Sequence, residues 1–103
     1  MIPPDLVPLI EARDERRALI EERATLLHHA LYHAFVSEFD ALAMAYGVDA
    51  VQVRGLQMLG ELTRRRHALA RARTEALEAV ERQFRQAVTG YIALEYRREF
   101  IRA

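Results

Sequence analysis

Gly47-Val48-Asp49 stands between two long stretches of helical code, and it constrains this chain more than any other feature. Helices commonly end at a glycine in a left-handed turn. Asp49 suits an N-cap, and Gln52 three residues later completes a capping-box pattern. A connection this short leaves the second helix to fold back along the first. The expected fold is therefore all-α, a long antiparallel helical hairpin forming one domain over residues 1–103. The first helix is expected over about 6–46, the turn at about 47–49 and the second helix over about 50–102. Gly90 offers a hinge, beyond which lies a short C-terminal helical extension.

Composition narrows the function classes. The chain has no Cys, which removes disulfides and thiolate metal sites. The opening Met-Ile-Pro-Pro-Asp lacks the basic and apolar segments of a signal peptide. No apolar run approaches the roughly 18 residues of a membrane span, so no membrane contact and a cytoplasmic address are expected. All fifteen cationic residues are Arg, and Lys, Asn and Trp are absent. A GC-rich coding bias accounts for this more simply than thermal adaptation. Net charge is zero, but residues 1–50 carry nine acids and four Arg, while residues 51–103 carry six acids and eleven Arg. Antiparallel folding lays the acidic half beside the basic half.

The first helix has an apolar stripe of Leu9, Ile20, Ala24, Leu27, Leu31, Phe35, Leu42 and Tyr46. A second flank carries Leu19, Leu26, Ala30, Ala34, Ala41 and Met44. Together they cover more than half the circumference, whereas a helix with one neighbour needs an arc of about 100°. The second helix shows Leu56, Leu59, Leu62 and Leu69, then Leu77, Val80, Phe84, Ala87, Tyr91, Leu94 and Ile101. Gly55 and Gly60 mark either a close approach of the two helices or a local bend. A hairpin folded about Val48 pairs residues whose numbers add to about 96. The first helix then ends opposite Gly90, leaving Tyr91, Ile92, Leu94, Tyr96, Phe100 and Ile101 overhanging. That apolar surface, with Leu19, Leu26 and Met44, predicts an interface. A homodimer resembling a four-helix bundle, with coiled-coil-like packing, or a complex with another protein would cover it.

His29 and His33 share a helical face with Glu22 and Asp40, and His67 falls opposite His29 in the hairpin register. Bundle metal sites use such residues. These three histidines project away from the apolar stripes, and both Glu-x-x-His and His-Glu-x-x-His are missing. Solvated histidines are expected, with no metal and no cofactor. His28, near Tyr32, Phe35 and Phe39, reads as a packed or pH-sensitive interface residue. The run Arg64, Arg65, Arg66, His67 continues with Arg71 and Arg73. Arg64, Arg65 and Arg71 are candidates for contact with an anion or nucleic acid, although no aromatic residue interleaves them. Arg66 and Arg73 fall on the apolar stripe, where ion pairs with Glu21, Glu22 or Glu38 would hold them.

Arg13, Arg16, Arg17 and the stretch Leu19-Ile20-Glu21-Glu22-Arg23-Ala24-Thr25-Leu26-Leu27 resemble the long first helix of all-helical chorismate mutases. That resemblance covers about a quarter of the chain and implies an intertwined dimer with inward arginines. The family's active-site Lys has no counterpart here. A lesser similarity, to secreted helical hairpins with a Trp-x-Gly turn, rests on length, the central turn and Tyr91-x-x-x-Glu95; Met44 or Ala45 replaces the Trp. The expectation is a non-enzymatic interaction or assembly module, with an Arg-rich nucleic-acid-associated protein as the alternative.

Overall fold

Proline before the first turn of a helix costs no hydrogen bond, since that N–H has no partner inside the helix. Pro4 uses this freedom. A 3-10 turn, Pro4–Leu6, leads into α1, Val7–Tyr46, and α2 spans Val48–Ile101. The computed structural model describes residues 1–101, with Ala50 described by its backbone alone. The expected helix end at Arg102 lies outside the described residues. Two long helices pack against each other, and the described residues contain no strand. The C-terminal extension is the unbroken end of α2, which runs helical through Gly90.

One residue makes the whole connection. Gly47 has φ +80°, and its N–H bonds the Ala43 carbonyl at 3.0 Å, closing α1 with a single left-handed cap. Its carbonyl accepts the N–H of Val51 at 3.4 Å, opening α2. Gly47 thus serves as C-cap and N-cap together. Asp49 is not the N-cap expected from the sequence. It lies in the first turn of α2, where its carboxylate favours the positive end of the helix dipole. Gly47→Val is expected to destabilise the hairpin by about 2 kcal/mol or more in urea denaturation, because an L residue pays for left-handed φ. Nothing lies within 4 Å of the added Cβ, so the cost is conformational. Gly60→Ala, facing only the mobile Arg64 Nη1 at 3.9 Å, is expected to stabilise by about 0.5–1 kcal/mol.

The chain divides into two compact units. In the first, Met1–Ile20 with Glu75–Ala103, the guanidinium of Arg13 lies 4.3 Å from the centre of the Phe84 ring. Arg16 donates to Gln83 at 3.0 Å and Arg17 to Glu81 at 3.1 Å. Val80 is buried there, and Tyr91 is half-buried. Burial raises the Tyr91 phenol above its usual pKa, and the Glu95 and Asp5 carboxylates add to the shift. In the second unit, Glu21–Thr74, Ala24, Met58 and Leu62 are buried. A Cβ on Gly55 would stand 3.2 Å from Cε2 of Phe39, so the missing side chain makes room for the ring. Gly60 meets no such approach. Pairs such as 13 with 84, 17 with 81, 21 with 73 and 39 with 55 keep to the antiparallel register of about 96.

The seam differs from the expected stripes in places. Leu56 and Leu59 are exposed, and Met58 is buried at 4% exposure instead. Val51, Gly55, Met58 and Leu62 carry the seam at steps of four, three and four. Gly55 gives no hydrophobic signal, so the leucines beside it drew the stripe off line. Leu27 and Tyr46 are exposed on α1. Further along α2, Val88 and Glu95 turn inward while Ala87 and Leu94 turn out. A straight helix drifts by roughly 20° per heptad against a fixed seven-residue pattern, which moves the seam by one position over a long helix.

Candidate interaction surfaces

In each unit the exposed large apolar side chains outnumber the buried ones. Of the predicted interface residues, Leu19, Leu26, Met44, Leu94, Tyr96, Phe100 and Ile101 are exposed, Met44 at 90%. Tyr91 is the exception, since it lies half-buried on the intramolecular seam of its unit. Ile92 joins the exposed tail, and Tyr96 stacks on Phe100 with ring centres 4.4 Å apart. Sequence reasoning missed a further cluster at the turn: Tyr46, Val48, Val53, Leu56 and Leu59 are all exposed. The signal was present, because apolar residues there occupy every side of α2 and one seam cannot take them all.

Charged residues sort into two kinds of groove, both within the second unit. Leu31, Ala34, Phe35, Glu38, Met58, Glu61, Leu62 and Arg65 line one. Its single arginine sits with two carboxylates. The other kind is a pair of adjoining grooves sharing Thr63, His67 and Ala70. Arg64 and Arg71 complete one of them, and His28 and Arg66 the other. No carboxylate and no Phe, Tyr or Trp lines either. The structure therefore divides the predicted anion set: Arg64 and Arg71 share a groove, while Arg65 belongs with Glu38 and Glu61.

Arg73 pairs as the sequence suggested. Its Nε donates to Glu21 at 2.8 Å, and its Nη2 donates to the other carboxylate oxygen. This two-point bond, and then the charge of Glu21, raise Arg73 above the usual arginine value, so the guanidinium is a fixed cation. Arg66 departs from expectation. It is exposed and pairs with no carboxylate among the described residues. It stands one step to the side of a seam that passes from Leu62 to Leu69. Arg17 with Glu81 reverses the polarity that the charge split suggested, while Arg73 with Glu21 follows it.

His29, His33 and His67 are exposed, and His28 is half-buried. Among the described residues no group of three or more His, Asp or Glu side chains is placed to hold a metal ion. No helix among the described residues is long and apolar enough to cross a membrane. Fold and surfaces together define an all-α pair of packed helices with exposed apolar side chains and a basic patch around His67. No family model matches the chain, and neither a curated protein nor a solved structure shows significant similarity to it.

Proposed function

We propose that this chain is a non-enzymatic assembly module that packs its exposed helix faces against helices of another subunit, in the first instance a second copy of itself in the cytoplasm. One observation carries the reading. The chain exposes 8425 Å², whereas a compact monomer of this size exposes roughly 6,000 Å². The excess is about 2,400 Å², and obligate interfaces bury roughly 2,000–5,000 Å² in total over both partners. Among the apolar side chains of the described residues, only Ala24, Met58, Leu62 and Val80 are buried. Burial on that scale offsets little of the entropy of ordering two such helices. A second pair of helices would supply the missing core.

Sedimentation equilibrium on the purified protein tests this. The expected mass is a small multiple of the chain mass, with helix content that falls on dilution. A folded monomer at high concentration would end the proposal.

The nucleic-acid alternative keeps a support of its own. Arg64 and Arg71 are exposed on a groove that no carboxylate lines, while Arg65 is exposed beside Glu38 and Glu61. This reading expects binding that weakens steeply with salt, and a flat salt response would count against it.

A further inference from the structure

We infer that the paired grooves around Thr63, His67 and Ala70 bind a chain of phosphate groups, with Arg64, Arg66 and Arg71 as the anchoring residues. The inference rests on the nucleic-acid alternative for its sign of charge and goes beyond it in residues and ligand. Four observations carry it. First, the grooves adjoin, so His28, Arg64, Arg66, His67 and Arg71 form one continuous patch. Second, no carboxylate lines that patch, although the chain holds as many acids as arginines. Arg13, Arg17, Arg54, Arg73 and Arg98 all have an acidic partner. Arg64, Arg66 and Arg71 have none among the described residues. Third, the Thr63 hydroxyl donates to the Leu59 carbonyl at 2.9 Å. Its proton is taken, so recognition falls to the guanidinium groups and the two imidazoles. Fourth, the cations are strung out along the helix.

That last point selects the ligand. From Arg64 to Arg71 the helix rises about 10 Å. A lone anion would engage one end of the patch, whereas a phosphate chain lies along it. Guanidinium forks match phosphate oxygens two at a time. With no Phe, Tyr or Trp lining the grooves and only the imidazoles of His28 and His67 as rings, bases have little to stack on, so contact is chiefly to the phosphates and independent of sequence. The same chemistry is offered by free polyphosphate and by the backbone of a single-stranded nucleic acid.

Two probes separate those sources: tripolyphosphate by calorimetry, and a labelled single-stranded oligothymidylate by fluorescence anisotropy, each at low salt. Three proteins are compared: the unaltered chain, the double variant Arg66→Gln/Arg71→Gln, and Arg82→Gln/Arg85→Gln as a control of equal charge change. All four arginines are exposed, so the helices tolerate the changes. The groove variant is expected to lose tenfold or more in affinity and the control less than twofold. For the oligonucleotide, losing two phosphate contacts should also lower the salt slope by about 1.4. Binding of tripolyphosphate alone assigns the groove to free polyphosphate, and binding of the oligonucleotide identifies the nucleic-acid backbone. Equal losses in both variants would overturn the groove and leave a diffuse nucleic-acid attraction standing. Absence of binding by either probe would overturn both.

Discussion

On the proposed assembly, Leu94→Asp and Phe100→Asp, made singly, are expected to yield monomer or to precipitate the protein. Both side chains are well exposed in the isolated chain, Leu94 at 58% and Phe100 at 67%. Neither side chain is buried in the hairpin seam, although Phe100→Asp also removes the stacking of Phe100 on Tyr96. In a symmetric dimer each position occurs twice. Burying a leucine or phenylalanine contributes about 1.5–3 kcal/mol, so one substitution removes about 3–6 kcal/mol of association energy. A carboxylate left in an apolar interface adds its desolvation cost. The dissociation constant should rise by a factor of a thousand or more. Sedimentation velocity reads the change directly, and circular dichroism at matched concentration separates dissociation from unfolding. If both variants sediment like the parent protein, the tail is not an interface.

The exposure of the tail beyond Tyr91 was legible from the sequence for a simple reason. Register follows from the position of the turn, and the turn was marked by Gly47. Once the register is known, the end of α1 and the overhang of α2 follow by counting. The pairing of Arg73 with Glu21 came from the same register. The seam at the turn was harder to read. Gly55 occupies a core position with no side chain to announce it, and Phe39 fills the space from the opposite helix. Periodicity sees only hydrophobic residues, so it followed Leu56 and Leu59, which lie on the solvent side. The basic grooves were hidden for another reason. Arg65 and Arg66 are adjacent in sequence but about 100° apart around a helix, which puts one beside Glu38 and Glu61 and the other beside His28. Glu61, four residues earlier on α2, and Glu38 on α1 together give Arg65 its carboxylate company.

The register at the turn leads to a sharp contrast between two leucines six residues apart. Leu62 is buried at 6% exposure, and Leu56 is exposed at 74%. Leu62→Ala should cost about 2–5 kcal/mol, because it opens a cavity in a seam with few other buried side chains. For a chain of about 100 residues that lowers Tm by roughly 10 °C or more. The loss should be the same at every protein concentration, since the contact lies within one chain. Leu56→Ala should change the stability of a single chain by less than about 0.5 kcal/mol. Any larger effect would come through association, and so would grow with protein concentration. Thermal melts of both variants at two concentrations a hundredfold apart distinguish these cases. If Leu56→Ala proved as costly as Leu62→Ala at the lower concentration, Leu56 would have to sit in the seam. The fit of Gly55 against Phe39 would then be wrong, and with it the register of the whole second unit.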